Sequence, residues 1–194
     1  MFWGSELLIA PALEENLTHA VAYLPSGTWY DYRTMNKINA QIPGFVNLAA
    51  PLTVIPLLAK GGSIFPSQIK GANNTRDSQK LPFHMKIFLD DKQTAHGELY
   101  WDDGDSLNTY DQEKYTHLKF GCANTTCFSL LIQNGSTLPL PNLNQISISG
   151  LNQPPQTFHI NDRSYDFKYE TKRRVLSLAN LKISMMEKLL MTWM

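Results

Sequence analysis

Charge is scarce in this sequence and evenly split. Lys plus Arg and Asp plus Glu number 17 each, and charged residues make up 18% of the 194. With no surplus of cations there is no stripe to neutralise a nucleic-acid backbone or an anionic bilayer, so neither is expected as a partner. Long apolar runs are missing as well. Leu7 to Leu13 and Val54 to Ala59 are each interrupted by a proline and fall short of the roughly 18 to 20 residues that a spanning helix needs. No basic residue precedes the first apolar stretch, and Glu6 interrupts it. "MFWGSELLIAPAL" therefore reads as a strand rather than as a secretion leader.

Cysteine occurs twice, as Cys122 and Cys127 in "GCANTTCF". The residues between them favour a turn, and in a hairpin the two thiols can face one another. A bridge closing so small a loop adds about 2 kcal/mol. Two reduced thiols on neighbouring strands fit the same spacing equally well. The five histidines, His19, His84, His96, His117 and His159, stand singly. Without H-x-x-x-H or Cys/His spacing they suggest no metal site. "AKGGSIFP" lacks the spacing of a phosphate loop, and no G-x-S-x-G elbow occurs. No catalytic nucleophile, metal ligand or cofactor-binding residue is expected.

What the chain does have is strand signal. Hydrophobic residues reach 43%, enough for a packed core. "HAVAYLP" and "TWYDY" are short apolar or aromatic runs separated by Pro25, Ser26 and Gly27. Pro51, Pro56 and Pro66 would break a helix but suit strand edges and bulges. After Leu81, strand-like segments recur at roughly 8 to 12 residue spacing, as in all-β sandwiches. Alternation is clear where Lys119 separates Leu118 from Phe120 and Ser147 separates Ile146 from Ile148. Ser67 to Leu81 has no core-forming pattern and reads as an exposed loop and domain boundary. The tail "SMMEKLLMTWM" fits either a helix or a final strand.

"GELYWDDGDSLNTYDQEKY", Gly97 to Tyr115, concentrates acids and aromatics. Counted from Asp103, an EF-hand would need oxygen, glycine and glutamate where Leu107, Asn108 and Lys114 stand. Asp102 and Asp103 are adjacent, and in a strand adjacent side chains point to opposite faces, which argues against a glycosidase carboxylate pair. Asp103 and Asp105 are separated by a glycine that favours a bend. The stretch reads best as a hairpin turn between aromatic strands. Trp29, Tyr30, Trp101 and Tyr110 are candidates for stacking on a sugar. N-x-S/T sequons at Asn16, Asn73, Asn124 and Asn134 are possible glycan acceptors.

Together, "FWGSELLIAPAL", "VAYLPSGTWYDY", "LAAPLTVIPLLAKGGSIFP", "PFHMKIFLDD", "GELYWDDGDSLNTY" and "ISISGL" resemble, in order, the C-terminal region of family-31 glycoside hydrolases. These are α-glucosidases such as maltase-glucoamylase, sucrase-isomaltase and lysosomal acid α-glucosidase. The resemblance implies an all-β fold of two antiparallel β-sandwich domains, a proximal one over residues 1–80 and a distal one over 81–194, with the catalytic barrel absent. The family's catalytic aspartates lie on that barrel, and no position here matches them. Lys60 departs from the arginine common before the Gly-Gly step, and the cysteine pair is not a recognised family feature.

The resemblance implies a non-catalytic part of a maltase-like enzyme, inactive alone as a fragment or truncated product. It would stabilise a (β/α)₈ barrel in cis, partly through an apolar face around Met1 to Leu8. A secretory, extracellular or membrane-tethered location follows for the full enzyme, and a cytosolic one for a product translated alone from Met1. The rival reading is a free-standing carbohydrate-binding module for α-glucans. An immunoglobulin-like adhesion domain is disfavoured, because the two cysteines are too close for an inter-sheet bridge.

Overall fold

The computed structural model describes residues 1–68 and 71–194. Six strands form a small first unit: β1 (Phe2–Trp3), β2 (Leu7–Ile9), β3 (His19–Leu24), β4 (Trp29–Asp31), β5 (Gly44–Ala49) and β6 (Leu57–Lys60). The rest lie in a second unit: β7 (Ser63–Gln68), β8 (Phe83–Phe88), β9 (Thr94–Trp101), β10 (Thr116–Ala123), β11 (Thr126–Asn134), β12 (Leu143–Ser149), β13 (Phe158–Ile160), β14 (Arg163–Ser164), β15 (Lys168–Glu170), β16 (Val175–Leu178) and β17 (Leu190–Trp193). The expected all-β architecture is present.

The first unit packs the sheet β1-β2-β6-β4 against the pair β3-β5. Period-two patterning does the work: Ala20, Ala22 and Leu24 of β3 point inward while His19, Val21 and Tyr23 point out. With Leu8, Trp29, Val46 and Leu58 they form the small core. In the second unit eleven strands make one continuous ladder, β14-β13-β17-β11-β10-β9-β7-β8-β12-β16-β15. Leu118 and Phe120 of β10, Met191 and Trp193 of β17, Ile87 of β8, Ile146 of β12 and Leu176 of β16 share one core cluster. The ladder is thus folded over on itself as a sandwich. Most pairings are antiparallel; β8 with β12 and the single β7–β9 pair, Ser63 with His96, are parallel.

The transition between the units is tight. Gly61 N–H donates to Thr28 O and Gly62 N–H to Phe88 O, both at 2.7 Å. A β-carbon on Gly61 would stand 2.9 Å from Thr28 Cβ, 3.2 Å from Leu89 O and 3.3 Å from Asp90 Cα, and Gly62 has φ +96°. The Gly-Gly step is therefore a crossing point of backbones. Directly after it, β7 pairs along its length with β8. Residues 63–68 thus belong by pairing to the large sheet, although the boundary expected at residues 80 and 81 lies beyond them. Pro66 sits in β7 where only β8 is a partner, so its missing N–H breaks no ladder on the other side. A seam of Tyr30, Met35, Ala59, Phe88 and Val175 joins the two cores.

Of the expected Ser67 to Leu81 loop, Ile69 and Lys70 lie outside the described residues. Thr75–Ser78 forms a single helical turn capped by Asn74, whose side chain accepts from Asp77 N–H at 2.9 Å. In the tail, Leu190–Trp193 is a strand held between β11 and β13, which decides against the helical alternative.

Candidate functional site

β9 ends at Trp101 and β10 begins at Thr116, so the Asp-Gly step does not close a two-residue hairpin. It starts a long loop, residues 102 to 115, which corrects the tight-turn expectation. The carboxylates organise that loop. Asp103 accepts from the N–H groups of Asp105 and Ser106 at 3.0 and 2.8 Å and from the Ser106 hydroxyl at 2.6 Å. Asp102 accepts from Gly104 N–H at 3.0 Å and from the Thr109 hydroxyl at 2.7 Å. Gly104, at φ +73°, supplies the left-handed step. The Ser106 hydroxyl, with the N–H groups of Ser106 and Asp105, holds the Asp103 carboxyl down at about 2. A glycosidase acid needs its pKa raised, and the shift at Asp103 runs the other way, as its three loop hydrogen bonds require. Among the described residues no group of three or more His, Cys, Asp or Glu can hold a metal ion.

The same loop builds an aromatic stack. The Tyr115 ring lies 4.8 Å from that of Tyr100 and 5.4 Å from that of Tyr110, at interplanar angles of 21° and 14°. Tyr110 is 68% exposed. The other three aromatic candidates fare differently. Trp29 and Tyr30 are buried and present no face to a ligand. Trp29 Nε1 donates to Pro25 O at 2.9 Å, and the Tyr30 hydroxyl donates to Leu89 O at 2.7 Å. Burial pushes the Tyr30 phenol well above its ordinary range. The residues around them, "TWYDY", are aromatic on both faces, so alternation gave no warning. Trp101 is half-buried and packs edge-on against Phe83 with centroids 5.5 Å apart.

Cys122 and Cys127 are register partners at the end of the β10–β11 hairpin, 4.0 Å apart at Cα and joined as a disulfide. Asn16, Asn73, Asn124 and Asn134 are all exposed, with Asn124 in the two-residue turn beside the bridge.

Exposed apolar side chains gather on the first unit. Met1, Phe2 and Trp3 are exposed, whereas Leu7 is half-buried and Leu8 joins the core, so the expected apolar face at Met1 to Leu8 narrows to three residues. On the outer surface of β3 and β5, Val21, Tyr23 and Phe45 lie open, with the Tyr23 and Phe45 rings edge to face at 5.3 Å. Leu13, Leu52 and Ile55 of the first unit are exposed as well.

A cleft of about 460 Å³ opens where the β4–β5 connection meets the large sheet. Arg33, His84, Lys86, Lys168 and Arg173 line it, with Ser147, Ser177, Tyr169 and Glu170. Sequence reading missed this site, because its cations come from distant segments and share no local spacing. Lys86 donates to Tyr32 O at 3.1 Å and lies 4.1 Å over the Tyr32 ring. Burial, and then the charge of Lys86, push the His84 imidazole down to about 4. Its Nε2 shares a hydrogen bond with the Ser147 hydroxyl at 2.9 Å.

Two packed β-sandwiches, with Asp102 and Asp103 engaged within a loop, define a class: an all-β region built of two sandwich units. Residues 1–65 match the family model described as the glycosyl hydrolase family 31 C-terminal domain. The chain is 30% identical over its whole length to lysosomal alpha-glucosidase of Bos taurus, covering 22% of that protein. It is 29% identical over 98% of its length to intestinal sucrase-isomaltase of Rattus norvegicus, covering 11%. The fold matches a crystal structure of the glucosidase II alpha subunit with a TM-score of 0.81 at 22% identity, over 97% of this chain and 22% of that one. The chain belongs to the C-terminal β-sandwich region of family-31 glycoside hydrolases. It spans 11% and 22% of the length of these two relatives, and among its described residues no helix is long and apolar enough to cross a membrane.

Proposed function

We propose that these residues are the non-catalytic C-terminal portion of an α-glucosidase, a maltase-like enzyme acting on terminal α-linked glucose, and that they stabilise its catalytic (β/α)₈ barrel. The observation that carries this is the apolar surface of the first unit, where Trp3 is 65% exposed, Phe45 77% and Leu13 88%. Large apolar side chains exposed in this number suit an interface, and relatives of far greater length supply chain to cover them. The purified chain is expected to hydrolyse neither maltose nor a chromogenic α-glucoside. Turnover above that of a heat-denatured control would overturn the reading.

The division we propose lies at Gly61–Gly62, with residues 63–80 assigned to the distal sandwich rather than to the proximal one. Strand pairing and the end of the family match at residue 65 support this. The location we propose is the secretory pathway. Relatives named as intestinal and lysosomal enzymes, the Cys122–Cys127 bridge and the exposed sequons at Asn16, Asn73, Asn124 and Asn134 favour it. A second reading, binding of α-glucans, is favoured by one observation: Tyr110 is exposed and braced from behind by Tyr115. Titration with maltooligosaccharides should then quench tyrosine fluorescence in the wild type and not in Tyr110→Ala. No change up to millimolar sugar would remove this reading.

A further inference from the structure

In a chain with equal numbers of acids and bases, the cleft between the units is conspicuously one-signed. Arg33, Lys86, Lys168 and Arg173 face it, against Glu170 on its rim and Asp31 nearby. The two acids are already engaged. Glu170 pairs with Arg173 Nη1 at 2.9 Å, and Asp31 Oδ1 accepts from the N–H groups of Arg33 and Thr34 and from the Thr34 hydroxyl. Arg173 is further held by Asn36 Oδ1 and the Thr34 carbonyl, bridging the units. Arg33 and Lys168 make no side-chain hydrogen bond or ion pair among the described residues, and Lys86 is bonded only to a carbonyl. Three cations thus line one concavity with no ion pair to any of them among the described residues, Asp31 acting on Lys86 only from nearby.

Like charges held around a partly desolvated cleft repel one another, and an anion placed among them relieves that repulsion. The hydroxyls of Ser147 and Ser177, neighbours across the β12–β16 pair, supply hydrogen-bonding groups on the same wall. At about 460 Å³ the cleft exceeds the size of a bare oxyanion and has room for a sugar ring attached to one. We propose that this cleft binds a phosphomonoester, with its phosphoryl group among Arg33, Lys86 and Lys168 and its organic part along the row formed by Ser147 and Ser177. The ligand would sit across both units and brace one against the other. This inference stands apart from the proposed role toward a catalytic barrel and does not depend on it.

Calorimetric titration of the 194-residue chain with inorganic phosphate and with glucose 6-phosphate tests it, with glucose and sodium chloride at matched ionic strength as controls. Both phosphates are expected to bind saturably, to shift the His84 ring resonances, and at about 10 mM to raise the unfolding midpoint by roughly 3 °C. The double variant Arg33→Gln, Lys168→Gln changes two side chains outside the core and should fold as the wild type does. It is expected to lose tenfold or more in phosphate affinity. Equal effects from sodium chloride, equal binding of glucose, or unchanged affinity in the double variant would each overturn the proposal.

Discussion

Gly61 has three atoms waiting where a β-carbon would stand, and two of them are backbone atoms that cannot swing aside. Gly61→Ala is therefore expected to lower stability by about 1 to 3 kcal/mol, read from urea unfolding, whereas an exposed change such as Lys92→Ala should leave it within about 0.5 kcal/mol. His84 makes a prediction in pH. Its folded value, about 4, lies below its ordinary value of 6.5, so between those two the unfolded chain binds more protons than the folded one. Stability from this residue is complete above pH 6.5, falls as the pH drops toward 4 and is level below it. The charged groups facing it are Lys86, Arg33, Lys168, Arg173 and Glu170, and none of these cations changes charge in that window. A His84→Gln variant should flatten the profile, measured by denaturation across pH 4 to 7. Neither residue announced its role in the sequence. "KGG" was visible, but the reason for it lies at Thr28 and Leu89, which only the fold brings there.

At the scale of the element, β10 and β11 show what alternation can reveal. Leu118, Phe120 and Cys122 are buried and Lys119 and Ala123 exposed, as period two requires. Cys122 and Cys127 face each other because one strand turns directly into the next. Reduction, or Cys122→Ser with Cys127→Ser, is expected to cost about 2 kcal/mol, checked by the shift of the thermal midpoint with and without reductant. The loop between β9 and β10 was harder to read. An Asp-Gly step between aromatic residues has the same local chemistry in a tight hairpin as at the start of a long excursion. The longer excursion is held instead by Tyr115 stacking on Tyr100 and Tyr110 stacking on Tyr115. The tail was ambiguous for a related reason. Met and Leu suit helix and strand alike, and the open edge between β11 and β13 selected the strand.

At the scale of the whole molecule, the seam decides whether two units behave as one. Phe88 is fully buried there, with Tyr30 and Phe65 rings at 5.5 and 5.9 Å. Phe88→Ala is expected to cost about 3 to 5 kcal/mol. Calorimetry should show the single transition of the parent chain broadening or splitting as the units uncouple; a sharp single transition in the variant would mean that the cores are joined elsewhere. The all-β class was legible because strands such as β3, β8 and β10 carry their own alternation and prolines and turn residues punctuate the rest. The seam was not, because its contacts join residues with no local relation: the Tyr30 hydroxyl meets the Leu89 carbonyl 59 positions on, and Ser149 donates to the carbonyl of Met35 across 114 positions.

That last hydrogen bond also imposes a schedule on synthesis. The Met35 carbonyl is synthesised 114 residues before its donor, an interval of roughly 6 to 23 s at ordinary elongation rates. For that time the nascent first unit carries an unfinished rear surface as well as its open apolar front. Its folding in the cell is therefore a matter of waiting safely, and helpers that shield a half-made chain are expected to act during that interval.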